Sequence, residues 1–234
     1  MQQRCGTTLV AMKLACDMIR SDDRINTILI ASGYRNADLI HYPNPRVRWM
    51  YYLAAGGAAC IVQRNCPRNR ILEGHFISDG TFAWDVYVPQ GGSAEPMTSE
   101  GLREGKQYLD VMDPEGMKAR LDKLSLRNWL ACIDKALEKS GYRRKDVDYL
   151  ATLLVKRSAH DYLIEQLGLD PEQTRYLAEF GHHGQNDQIL SLELAIEEGR
   201  IKAGDLVLMI SAGIGYAWDA LTLRWGNTER RAKS

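Results

Sequence analysis

Two places in the 234-residue sequence put chemically competent residues where a fold would present them. In "QQRCGTTLVAMKLACDM", Cys5 stands just ahead of Thr8, Leu9, Met12, Leu14, Ala15, Met18 and Ile19, which repeat at helical spacing. A helix N-terminus favours a thiolate, the form of cysteine that attacks carbonyl carbon. A free Cys is also a common small apolar residue at a buried helix end, so spacing alone leaves both readings open. The second place is "GHHGQND" (181–187), where His182, His183, Asn186 and Asp187 lie together. Asp187 can orient an imidazole, and can equally cap the helix that follows it. Adjacent histidines point to different sides and no nearby Cys or Glu completes a tetrahedron, so no metal is expected.

The elements that must hold these residues are clearest in the second half. "LRNWLACIDKALEKSG" puts Leu126, Trp129, Leu130, Ile133, Ala136 and Leu137 on one helical face, with Gly141 as its stop. "VDYLATLLV" is an apolar, β-branched run suited to a strand buried on both faces. "SAHDYLIEQLG" returns to helix, with His160 expected at the surface or behind the site. "DPEQ" has the form of a capping box, and "TRYLAEF" is a short strand candidate. The helix "QILSLELAIEEG" and the strands "DLVLMISAG" and "YAWDALTLRW" complete the run. This order predicts an α/β fold with a parallel sheet and an antiparallel edge.

The first half repeats the end of that pattern. The Cys5 helix leads to "INTILIASG", then through a Pro-containing insertion to "LAAGGAACIVQ". Helix, strand, Gly-rich turn and strand match in both halves, which reads as an internal duplication. The second half has two strands before its matching helix and the first has none, so roughly 60 or more residues are expected upstream of Met1. The charged, Gly- and Pro-punctuated segment 89–118 reads as an insertion between halves 1–88 and 119–234.

Bulk properties set the class. Thirty basic residues balance thirty acidic ones, so no net field draws nucleic acid or a membrane surface. The five cysteines, odd in number and without a C-x-x-C pair, suit reduced thiols of the cytoplasm. Cys16, Cys60, Cys66 and Cys132 read as packing or surface thiols. The longest apolar stretch, "LVLMISAGIGYAW", is too short and Gly-broken for a membrane span, and no signal segment opens the chain.

Several stretches point to one family. "SDGTFAWDVYVPQGGS" (78–93), "AAGGAACIV", "EEGRIKAGDLVLMISAGIGYAWDALTLRW" and the Cys-headed first helix occur in collinear order over almost the whole chain. Together they resemble the 3-oxoacyl-acyl-carrier-protein synthase III family of thiolase-like condensing enzymes. The resemblance implies two duplicated βαβαβαββ halves in α/β/α/β/α layers, here without the first strands of the N-terminal half.

The resemblance also implies an acyltransferase of fatty-acid or polyketide-like metabolism, a homodimer using acyl-coenzyme A or acyl carrier protein as substrate and no cofactor. Cys5 falls on the acyl-accepting nucleophile. The backbone amides of Cys5 and of Ile214, between Gly213 and Gly215, fall on the oxyanion hole, although the family has a third Gly where Ile214 stands. The family's catalytic His falls at Leu153 or Leu154 and is absent, while its catalytic Asn falls on His182. A Cys5–His182 pair replaces Cys-His-Asn, with His183, Asn186 and Asp187 as possible support. Such a pair can transfer an acyl group; decarboxylative condensation asks for more donors. The resemblance therefore leaves transacylation or thioester hydrolysis, or an inactive truncated copy or partner subunit, as rival readings. Lys156 and Arg157 are candidate contacts for a pantetheine phosphate or carrier protein, or an ordinary solvated pair. The aromatic insertion "HYPNPRVRWMYYL" is expected at a dimer interface or an acyl-pocket wall.

Overall fold

Strand β5 (Leu206–Gly213) sorts the core into two sides. Leu206, Leu208 and Ile210 face one cluster, while Val207 and Met209 face another, the period-2 alternation of a strand covered on both faces. The structure, a computed structural model, describes residues 3–227; Met1, on which the upstream expectation rests, lies outside them. The other elements are α1 (Thr7–Ser21), β1 (Thr27–Tyr34), β2 (Gly56–Gln63), β3 (Arg68–Ser78), α2 (Ser99–Arg103), α3 (Pro114–Ser140), β4 (Tyr149–Thr152), α4 (Arg157–Leu167), α5 (Asp187–Glu197) and β6 (Ala217–Asn227).

The main sheet has the order β3-β6-β5-β4. β4 and β5 are parallel, and β6 runs antiparallel to both β5 and β3. On one face, Trp129, Ile133 and Leu137 of α3 and Leu163 and Leu167 of α4 pack on Leu208, Ile210 and Trp218. On the other, Leu9 and Met12 of α1 and Leu192 and Ala195 of α5 pack on Val207, Met209 and Leu221. Beyond α1 lies the antiparallel hairpin β1–β2, whose Ile30 and Cys60 close that layer. The mixed α/β architecture is the thiolase-like one, seen as β/α/β/α layers. The repeat is visible too, as α1–β1–β2 and α5–β5–β6 each pass from a helix into an antiparallel strand pair.

The outer face of the hairpin is bare among the described residues. Thr27, Leu29, Ala31 and Gly33 of β1 and their neighbours Gln63, Ile61, Ala59 and Gly57 of β2 are exposed. Leu29 and Ile61, directly paired, are 65% and 67% exposed.

Three elements differ from the sequence expectation. The long helix begins at Pro114 rather than near Leu126, because Asp113 accepts the Gly116 N–H at 2.9 Å and Pro114 takes the first helical position. "TRYLAEF" forms one bridge, Thr174 to Leu150, and no strand; the Tyr176 hydroxyl then donates to the Val155 carbonyl and draws the chain off the sheet edge. Strand β3 went unread because its polar residues and two register irregularities break the alternation.

Candidate active site

The duplication brings two equivalent helix N-termini together. Cys5 sits in the 3-10 turn Arg4–Gly6 that opens α1, and the 3-10 turn Gly184–Asn186 opens α5 just after His182 and His183. Cys5, His182 and Asp187 are 6%, 4% and 0% exposed. His182 Nε2 lies 3.1 Å from Cys5 Sγ, and His182 Nδ1 lies 2.5 Å from Asp187 Oδ2. The carboxylate, imidazole and thiol thus form one line, the geometry in which a base is oriented by a third group.

Asp187 does not cap its own helix through its side chain; Asn186 is the cap residue and makes no capping bond either. Its carboxylate instead accepts the Leu154 N–H at 2.7 Å on Oδ2 and the His183 N–H at 2.7 Å on Oδ1. Those donors make a fully buried carboxylate tolerable. Burial by itself works against a charged His182, but the Cys5 thiolate beside it, then the Asp187 carboxylate, outweigh burial and raise its pKa to about 10.

The insertion builds one wall. Tyr52, Leu53 and Ala54 run beside His182: its N–H donates to Tyr52 O at 2.8 Å, and its carbonyl accepts the Ala54 N–H at 2.9 Å. The rings of Tyr52 and Tyr34 lie 5.8 and 6.0 Å from the imidazole. Burial, followed by the charge of Cys5, pushes both phenols up, Tyr52 to about 12, so each hydroxyl remains a donor at neutral pH. Sequence reading missed Tyr34; its one signal is a bulky aromatic closing a strand opposite Gly56.

The remaining expected residues fall as follows. Gly213 borders the Cys5 turn so closely that a Cβ there would meet Gln3 O at 2.3 Å, while the side chain of Ile214 packs with Val47 and Met50. Asn186 spends its amide on the hairpin, donating to Gly56 O at 3.2 Å and accepting from Ser32 Oγ. His183 packs against Gly56, and its Nδ1 has no hydrogen-bond partner. Lys156 is exposed just before α4. Arg157 is engaged locally, with Asp161 at 2.7 Å and its guanidinium 5.2 Å over the Tyr176 ring. His160 is not a surface residue: it is 2% exposed against Tyr176, and burial pushes its pKa down to about 4. At Leu154 the side chain is buried and apolar, and only the backbone N–H takes part.

Comparison with known proteins gives a consistent result. The family model described as 3-oxoacyl-[acyl-carrier-protein (ACP)] synthase III matches residues 1–80, and that described as its C terminal matches residues 137–225. The chain is similar to the beta-ketoacyl-[acyl-carrier-protein] synthase III of Symbiobacterium thermophilum, 31% identical over 173 residues, which are 74% of this chain and 51% of that protein. The protein of that name from Microcystis aeruginosa is 25% identical over 225 residues, 95% of this chain and 66% of the relative.

Among solved structures, 3-oxoacyl-[acyl-carrier-protein] synthase III from Aquifex aeolicus superposes with a TM-score of 0.77 at 20% identity, covering 95% of this chain and 65% of that one. The enzyme of that name from Pseudomonas aeruginosa gives 0.79 at 16% identity, covering 96% and 66%. These likenesses carry the fold. The chain spans about half to two thirds of the length of its curated relatives.

Proposed function

The chain belongs to the 3-oxoacyl-[acyl-carrier-protein] synthase III family, and on that premise we propose that it is an acyltransferase carrying its acyl group as a thioester on Cys5. The observation that carries the reading is the 3.1 Å contact from Cys5 Sγ to a buried imidazole that Asp187 orients. In the first step His182 Nε2 takes the thiol proton and the thiolate attacks the carbonyl of an acyl thioester. The N–H groups of Cys5 and Ile214 receive the charge that develops on the carbonyl oxygen. The bond from carbonyl carbon to the thiol of coenzyme A, or of a carrier protein's phosphopantetheine, breaks. The leaving thiolate takes the proton back from the His182 imidazolium, so acyl-Cys5 and a free thiol result. Lys156 is the candidate contact for the phosphate or the carrier. A cytoplasmic homodimer is the proposed setting.

In the second half-reaction a malonyl thioester loses carbon dioxide. Its enolate carbon then attacks the acyl carbonyl, giving a 3-oxoacyl thioester and returning the Cys5 thiolate. A second reading, transfer of the acyl group to water or another nucleophile, is favoured by one observation: Leu153 and Leu154, where the family resemblance expects an imidazole to steady the enolate, are both buried apolar side chains.

Mass spectrometry after incubation with acyl-coenzyme A tests the proposal. An acyl adduct on Cys5 that yields a 3-oxoacyl product when malonyl thioester is added is the result expected. An adduct without that product assigns the second reading, and a chain with no adduct on Cys5 sinks both.

A further inference from the structure

Two buried polar side chains lie under the nucleophile turn and take no part in the Cys5–His182–Asp187 line. Ser211 of β5 and Asp219 of β6 are direct partners in the antiparallel register, and both are fully buried. They continue the strand faces of Val207 and Met209 and of Leu221 and Leu223, which are otherwise apolar and pack on α1. Polar groups are costly there unless hydrogen bonds compensate them. Ser211 Oγ donates to the Cys5 carbonyl at 2.6 Å. Asp219 Oδ1 accepts from Gln3 Nε2 at 3.0 Å, while Oδ2 has no hydrogen-bond partner. Oδ2 presses on the next residue of the turn, since a Cβ at Gly6 would come within 2.0 Å of it.

The turn they touch is strained. Arg4, adjacent to the nucleophile, has φ of 50°, a left-handed conformation that is unfavourable for a residue with a side chain. Such a conformation persists only where its surroundings over-determine it. Local bonds contribute: Thr7 Oγ1 donates to Arg4 O and accepts the Gln3 N–H, both at 2.8 Å. Ser211 and Asp219 supply the long-range part, one gripping the backbone after Arg4 and the other the side chain before it.

We propose that Ser211 and Asp219 are positioning residues for Cys5, together holding the left-handed turn at Arg4 so that the thiol stays in reach of His182. The claim rests on Cys5 being the reactive thiol. A carboxyl that takes up its proton near neutrality suits this role, because the protonated form puts no negative charge beneath Cys5. Burial pushes Asp219 up to about 7, with only the Gln3 hydrogen bond opposing, and no cation pairs with it among the described residues. Across the sheet, Cys132 of α3 is itself pushed up to about 12 by burial and then by the charge of Asp219.

The test is the rate of Cys5 alkylation by iodoacetamide from pH 5 to 9, read by peptide mass spectrometry on the whole chain. Alkylation reports the thiolate without any acyl substrate. Circular dichroism checks folding of Ser211→Ala, Asp219→Ala and Asp219→Asn. With native circular dichroism, Ser211→Ala and Asp219→Ala should lose ~10- to 100-fold in rate near pH 6.5, the penalty of a misplaced reactive group. Their pH profiles should move toward that of a free thiol. Asp219→Asn, neutral and able to accept from Gln3, should stay near the native profile. Native profiles in Ser211→Ala and Asp219→Ala would overturn the proposal, as would Asp219→Asn as damaged as Asp219→Ala. If Asp219→Ala does not fold, Ser211→Ala and Asp219→Asn decide by the same outcomes. Parallel labelling with acyl-coenzyme A keeps the two claims apart: variants that shift as expected in a chain taking no acyl group support the positioning role and defeat the acyltransferase reading.

Discussion

Asp187 and Leu154 are joined by a 2.7 Å hydrogen bond from the Leu154 backbone N–H to Asp187 Oδ2, the oxygen that also meets His182. The strand end that carries Leu153 and Leu154 thus reaches His182 through its backbone, fixing the carboxylate behind the imidazole.

Asp187→Asn keeps the shape and an acceptor for one of these N–H donors but removes the charge that orients His182. Acyl transfer to Cys5 should fall by ~10²–10⁴-fold, with a melting temperature lowered far less than this loss implies. Stopped-time mass spectrometry of the acyl adduct, beside a thermal melt, checks both. An Asp187→Asn chain acylating at the native rate would remove the carboxylate from the chemistry.

The raised pKa of His182 makes a statement about stability. Because it rises from the ordinary 6.5 to about 10 on folding, its contribution is fully present below pH 6.5 and lost as pH climbs through about 10. The melting temperature of the native chain should fall between pH 7 and 10 more steeply than that of His182→Gln. Cys5→Ala should flatten the same curve, since the Cys5 charge is the largest favourable cause. Parallel pH curves for all three would contradict the raised pKa of His182.

His160 carries the opposite sign. Its pKa falls on folding to about 4 through burial, so its contribution is complete above pH 6.5 and declines as acid is added toward pH 4. His160→Phe, which keeps the contact with Tyr176, should lose less melting temperature than the native chain between pH 6.5 and 4. An identical acid limb would show that His160 takes up its proton as readily in the folded chain as in the unfolded one.

The bare hairpin face predicts self-association. Covering a side chain such as Leu29 or Ile61 contributes about 1.5–3 kcal/mol, and an exposed apolar sheet with open edges is a site for pairing between copies. Light scattering should find the chain oligomeric at micromolar concentration, and Leu29→Lys with Ile61→Lys should reduce the mass without altering the melt. A monodisperse monomer with a cooperative melt would count against this.

Much of this was legible before any coordinates. Helical periodicity located α1 and its Cys5, and the collinear motifs singled out His182, because motif and period are local properties. Asp187 was readable only as one of two things, a helix cap or an orienting carboxylate. What decides between them is Leu154, whose N–H arrives from another strand. Ser211 and Asp219 gave no signal, since one polar residue in an apolar strand does not say which turn crosses above it. Tyr34 gave little signal either, and the aromatic insertion containing Tyr52 and Leu53 was readable only as an interface or a wall, since its place beside His182 depends on how it folds back. His160 was readable as a surface residue or one behind the site, and its burial against Tyr176, a tertiary fact, removes the first of these.

The contact between Cys5 and His182 joins residues 177 positions apart, and that between Gln3 and Asp219 spans 216. Closing loops of that length comes late, after nearer contacts have begun to repay chain entropy. Cys5 precedes both His182 and Asp187 in the chain, so during synthesis it is an unassisted thiol until they follow. Its environment is completed at the end of folding, which keeps the proposed nucleophile quiet until then and makes its alkylation profile a reporter of the finished fold.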